Sequence, residues 1–235
     1  MNYLLLLFAG AAITVAALAV LRNRLVFELQ ATSILLFGID KPGIILYSIF
    51  VLPGTIVHEL SHWLTAEILR VPTGQITILP TINDDRGGSQ NLGSVATGST
   101  DPFRGLLIGG APFVVGMGIL VVLSKLTRDW WGIHPWWQLA LLVYGMMVTG
   151  NSMLTSPADR RNWPIAIGFL MLLSVILWYL GLRPTTDLLN TLTSTSTLLL
   201  TVLLLTATLN LGTIGACLLI RKGVEQISHK RVIRN

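Results

Sequence analysis

Residues 43–69 read GIILYSIFVLPGTIVHELSHWLTAEIL, an apolar run interrupted near its C-terminal end by His58, Glu59 and His62. A helix that crosses a membrane needs roughly 20 apolar residues, because the hydrocarbon core is about 30 Å thick and a helix rises about 1.5 Å per residue. This run is long enough, yet ionisable side chains in such a helix are expensive unless they face an interior or perform a task. The rest of the chain supports a membrane reading. Its 235 residues are 52% hydrophobic and 11% charged, with mean hydropathy +0.70, where a soluble domain carries about 25% charged residues. So few ions cannot cover a soluble surface, which excludes disorder, a coiled coil and an ordinary cytosolic enzyme. The one cysteine, Cys217, excludes an internal disulfide framework. The net charge of +5 is spread between apolar runs rather than clustered on one face, so no nucleic-acid partner is expected.

Working outward from 43–69, further spans are expected at 3–21, 103–124, 137–155, 163–182 and 194–220, six in all. The first is read as retained rather than as a cleaved signal peptide. Ala17-Leu18-Ala19 resembles a cleavage site, but no basic n-region precedes it. Residues 25–38 include Glu28 and Gln30 and read as an interfacial or re-entrant helix. Between Thr73 and Thr100 the pattern changes. Gln75–Leu79 alternates, the loop Asn83-Asp84-Asp85-Arg86-Gly87-Gly88 is polar, and Leu92–Thr97 forms a second short run, together a β-hairpin. The expectation is an all-α integral membrane protein of about six transmembrane helices with a β-hairpin after the second. It forms a single membrane-embedded domain, 1–235, with its core at 43–160 and a basic tail at 221–235. Six alternating spans place ten basic residues, Arg221 among them, on the side of the termini and six, Arg24 among them, opposite. The positive-inside rule then predicts cytoplasmic termini, in the plasma membrane of a prokaryote.

His58 and His62 are four residues apart and project from one helix face, where they can share a metal ion; Glu59 sits about 100° round, beside the ion without ligating it. Two neutral imidazoles holding a metal and a carboxylate taking a proton from water is the division of labour of a zinc hydrolase. The plainer reading is a polar patch that packs helices through hydrogen bonds. Catalytic zinc usually has three protein ligands. Glu67, nine residues past His58, lies on the opposite helix face. Asp84, Asp85 and Asp101 belong to polar turns, and Asp129 and Asp187 fall near span ends on the far side. Asp159, closing the fourth span, is the best third ligand; alternatively it pairs with Arg160 or Arg161. His134 lies among Trp130, Trp131, Trp136 and Trp137, which read as an interfacial aromatic belt.

An early His-Glu-x-x-His span, a following hairpin and the segment Asn151-Ser152-Met153-Leu154-Thr155-Ser156-Pro157-Ala158-Asp159 resemble the site-2 protease family of intramembrane zinc metalloproteases. Gly109-Gly110-Ala111-Pro112 looks like that family's Gly-Pro segment. Leu154 departs from the motif's first proline, and Arg160 stands where the family usually has glycine. The resemblance implies a minimal member, without a PDZ or nucleotide-sensing domain, that hydrolyses a peptide bond of a single-span membrane protein near the cytoplasmic face. It implies Zn2+ held by His58, His62 and Asp159, Glu59 as general base, and Asn151 as a hydrogen-bonding contact to substrate backbone. Asn151 reads alternatively as a buried span-end amide satisfied by neighbouring carbonyls. A hairpin edge, Gln75–Leu79 or Leu92–Thr97, is expected to pair with the unwound substrate. Two other classes stay open: a non-proteolytic metal-binding protein or transporter, and a zinc hydrolase acting on a lipid or small amide. A transporter would want ligands on several spans and often an internal repeat, and the chain has one cluster and no repeat.

Overall fold

In hydrocarbon a backbone can satisfy its N–H and C=O groups only internally, so long apolar runs become helices. The computed structural model describes residues 2–77, 81–82, 90–91, 93–98, 100–153, 159, 163–181 and 183–228. Among these the helices are α1 (Asn2–Phe37), α2 (Lys41–Ile68), α3 (Pro102–Trp130), α4 (Trp136–Ser152), α5 (Trp163–Tyr179) and α6 (Thr186–Ser228). Four of them, α1, α2, α3 and α6, are long and apolar enough to cross a membrane. Helices α4 and α5 have 17 residues each, about 26 Å at 1.5 Å per residue, just short of the hydrocarbon thickness. Large apolar side chains lie exposed along α1, α3, α5 and α6, including Leu6, Ile13, Val114, Phe169 and Trp178. A soluble monomer does not present apolar surface on that scale. The belt tryptophans Trp131, Trp136 and Trp137 are exposed at the α3–α4 turn.

Residues 25–38 do not form a separate interfacial helix; they continue α1 without a break. The polar residue that suggested the break is neutralised in place. Glu28 is fully buried, with Arg24 Nη2 at 2.6 Å from Oε1 and Arg221 Nε at 2.8 Å from Oε2. Arg221 also reaches Glu225 at 3.2 Å. It is therefore an ion-pair partner inside the bundle rather than part of a solvated tail; residues 229–235 of the expected tail lie outside the described residues. This cluster also overturns the expected sidedness. Arg24 and Arg221 were to sit on opposite membrane faces, yet they share one carboxylate. Gly10 likewise packs on Leu200, so α1 and α6 run side by side in the same direction, which the first and last of six alternating crossings would not. Helix α1 ends where Gly38 takes φ +76° and its N–H bonds Ile34 O at 2.9 Å, a left-handed cap that glycine adopts without steric penalty.

The core is apolar and built around close helix approaches. Leu18, Leu120, Met146, Met153, Leu199, Val202 and Leu203 form one cluster, joining α1, α3, α4 and α6. Glycines set the separations: a Cβ at Gly54 would collide with Ser152 Oγ and lie 2.8 Å from Val148 Cγ1, and one at Gly116 would lie 2.7 Å from Met153 Cβ. Small residues at such crossings are how helices pack where lipid gives no hydrophobic drive between them. A second cluster, Leu25, Tyr47, Val51 and Ile214, has Cys217 packed against it as a small apolar neighbour.

Helix α2 ends in a Schellman turn. Arg70 has φ +55°, Val71 N–H bonds Ala66 O at 2.9 Å, and Val71 packs on Ala66 and Ile108. The turn feeds β1 (Thr73–Thr77), which pairs antiparallel with β4 (Ser94–Thr97) in the register Thr73↔Thr97, Ile76↔Val95, Thr77↔Ser94. Two-residue strands β2 (Thr81–Ile82) and β3 (Gln90–Asn91) pair antiparallel in a second two-stranded sheet, Thr81↔Asn91 and Ile82↔Gln90. The expected hairpin is present, its first strand starting two residues earlier than expected, at Thr73; Ile78, Leu79, the loop 83–89 and Leu92 lie outside the described residues.

Candidate metal centre

Helix α2 carries His58, Glu59 and His62 into the bundle, facing α3 and the segment after α4. Their spacing puts both imidazoles on one face: the rings meet edge to face with centroids 4.9 Å apart, and the two Nε2 atoms are 3.2 Å apart. Asp159 arrives from beyond the end of α4, with Oδ1 3.4 Å from His62 Nε2 and Oδ2 3.9 Å from His58 Nε2. One ligand atom from each of the three lies within 4.8 Å of the others, so they could hold a metal ion. A tetrahedral ion with bonds of about 2.0–2.1 Å separates its ligand atoms by about 3.3 Å. The 3.2 Å between the two Nε2 atoms and the 3.4 Å from His62 Nε2 to Asp159 Oδ1 fit two such edges, while the 3.9 Å contact of His58 is to the other carboxylate oxygen, Oδ2.

The protonation pattern fits as well. His62 Nδ1 lies 2.8 Å from the Ile108 carbonyl in a buried contact. A carbonyl only accepts, so Nδ1 carries the hydrogen and Nε2 of the neutral ring is left with a lone pair facing His58 and Asp159. A backbone carbonyl that bonds the far ring nitrogen and fixes the tautomer is how metal-binding histidines are usually oriented. The donor set, two imidazoles and one carboxylate, suits zinc.

Asp159 reaches this position because Gly109 of α3 lets a second backbone come in against it: a Cβ there would collide with the Asp159 carbonyl oxygen and sit 3.1 Å from its carbonyl carbon. Glu59 lies one residue round the helix, buried (5% exposed). Gly93, just before β4, covers it so closely that an added Cβ would be 2.7 Å from Glu59 Oε1 and 3.0 Å from Thr55 Cγ2. The hairpin therefore packs directly on this carboxylate.

Asn151, a substrate-backbone contact by the resemblance, lies at the end of α4 against α6. Its Nδ2 donates to Met147 O at 2.9 Å and to Asn210 Oδ1 at 3.1 Å, while Asn210 Nδ2 donates to Asn151 Oδ1 at 2.8 Å. Both polar ends are spent on a clasp between α4 and α6, in line with the alternative reading of a satisfied span-end amide. The other candidates fall away. Glu67 accepts from Thr73 Oγ1 at 2.9 Å and anchors the hairpin. Asp101 caps α3, accepting from Phe103 N and Arg104 N at 3.0 Å each. His134 stacks on Trp130 and bonds Gln138 Oε1 at 2.7 Å. Leu154, Pro157, Arg160 and Arg161 lie outside the described residues, as do Asp84 and Asp85.

The sequence does not point directly to the Ile108 carbonyl, Gly93 or Asn210, and it names Gly109 only as part of the Gly109–Pro112 segment. One signal was available for Ile108: a proline four residues ahead in a helix removes the donor its carbonyl would otherwise bond. Compared with protein-family models, with curated proteins and with solved structures, the chain matches none.

Proposed function

We propose that the protein is an intramembrane zinc metalloprotease, similar to the site-2 protease family, that hydrolyses a peptide bond of a membrane-spanning substrate. The observation that carries this reading is the convergence of His58, His62 and Asp159 from two distant stretches of chain, with Glu59 buried beside them. Holding a metal needs no Glu59, so its position favours hydrolysis over storage or transport. A zinc ion held by the three ligands would supply Lewis acidity, drawing charge from a carbonyl oxygen and acidifying water.

The chain's own residues divide the remaining work. His62, locked by Ile108, presents its Nε2 lone pair; Asp159 supplies negative charge that offsets a cation's. Glu59 accepts the proton of the attacking water and returns it to the leaving amine. The apolar helices around the site limit the access of water. The substrate's own helix hides its carbonyls in hydrogen bonds that lipid makes costly to open. Strand β1, paired with β4 on one side only among the described residues, offers its other edge to an unwound segment by strand addition. Gly93 leads into β4 and touches Glu59, so the hairpin that receives the segment is in contact with the base that cleaves it.

The test is cleavage of a panel of single-span peptides in detergent or vesicles. Wild type should cleave at least one of them, Glu59→Gln should cleave none while retaining its metal, and His58→Ala should lose both metal and activity. A Glu59→Gln protein that cleaves at the wild-type rate contradicts the mechanism. A lipid or small amide as sole substrate would move the activity to another class of zinc hydrolase.

A further inference from the structure

We propose that Pro112 is a positioning residue for His62, acting through the carbonyl of Ile108. In an unbroken helix the Ile108 carbonyl accepts from the N–H of residue 112. Position 112 is a proline inside α3, with no N–H to give. The freed carbonyl lies in the bundle, beside a buried side chain (Ile108 is 6% exposed), where an unpaired oxygen is costly. His62 Nδ1, at 2.8 Å, takes the vacant place. The proline thereby creates an acceptor pointed at α2 that an ordinary helix would not have, and the acceptor selects the tautomer of His62. The next residue, Gly109, gives the Asp159 backbone its space. Five consecutive residues of α3 thus place two of the three ligand side chains, His62 through a missing hydrogen bond and Asp159 through a missing side chain.

The tautomer claim stands on geometry alone; its consequence for metal affinity rests on the proposed zinc site. The two are separated by measuring histidine ring 15N shifts in the metal-free protein, with His62 assigned by comparison with His62→Gln. In wild type, His62 should be Nδ1-protonated with Nε2 bare. Pro112→Ala restores an N–H that closes the 108–112 bond and competes for the carbonyl, so His62 should show a mixture of tautomers. Zinc affinity, read by chelator competition, should fall by about 10- to 100-fold, the usual effect of losing a ligand's outer partner. Gly109→Ala should weaken zinc binding through Asp159 while leaving the His62 tautomer unchanged. The inference is overturned if wild-type His62 is Nε2-protonated, a result that does not depend on any variant folding. It is equally overturned if Pro112→Ala retains the wild-type tautomer. If wild type shows the expected tautomer, Pro112→Ala disturbs it and no zinc binds either protein, the positioning role stands and the zinc reading fails.

Discussion

The Asn151–Asn210 clasp is the sharpest place to separate packing from substrate binding. Replacing Asn210 with alanine removes two side-chain hydrogen bonds, of 3.1 and 2.8 Å, between α4 and α6. Interhelical hydrogen bonds in membranes average about 0.6 kcal/mol each and reach about 1.7, so the pair contributes about 1–3 kcal/mol. The partner left behind worsens the loss: Asn151 is 2% exposed, and although its Nδ2 keeps Met147 O, its buried Oδ1 loses its donor, which costs about 1–3 kcal/mol. Each single variant should therefore be less stable by about 2–6 kcal/mol, and the double variant by little more than either alone. The assay is a double-mutant cycle of Asn151→Ala and Asn210→Ala, read by denaturant unfolding in detergent. Strict additivity, a coupling below about 0.5 kcal/mol, refutes the clasp. A substrate contact at Asn151 would leave Asn210→Ala silent in both stability and turnover.

Three further outcomes are expected. Gly93→Ala inserts a methyl 2.7 Å from Glu59 Oε1; turnover should fall by about 100-fold, as for a displacement of about 1 Å, with zinc content unchanged. Arg70→Gly relieves a left-handed residue and should raise stability by about 1 kcal/mol, seen as a higher unfolding temperature. The Arg104 and Phe103 amides hold the Asp101 carboxyl below its usual range. A folded value below the unfolded one, about 3.9, means the cap's charge stabilises α3 fully above that pH and is lost as pH falls through the folded value; Asp101→Asn should therefore flatten the fall in stability as pH drops below about 4, read by unfolding at a series of pH values, with the neutral cap retained.

Periodicity and length made the helices legible, because lipid enforces helix on any long apolar run. The hairpin was legible from alternation at Gln75–Leu79, and the observed β1 begins at Thr73 because the Schellman turn at Arg70 delivers an extended chain early. The site was legible in part. His58, Glu59 and His62 share one helix, where spacing alone sets their geometry, whereas Asp159 reaches them through a close approach at Gly109 that no local pattern encodes. Sidedness was not legible: counting arginines treats each as a free cation, and Arg24 and Arg221 are bound to one buried carboxylate, Glu28. Asn151 shows the same limit, since its partner Asn210 lies 59 residues away.

Whether His58, His62 and Asp159 hold one zinc ion is decided by X-ray absorption at the zinc edge of the purified protein. The proposed site should give one zinc per chain with nitrogen and oxygen neighbours at about 2.0–2.1 Å, the outer scattering pattern of two imidazoles, and loss of the metal in His58→Ala, His62→Ala and Asp159→Ala. Protein that binds no zinc, or zinc with sulfur at about 2.3 Å and unaffected by those substitutions, would contradict it.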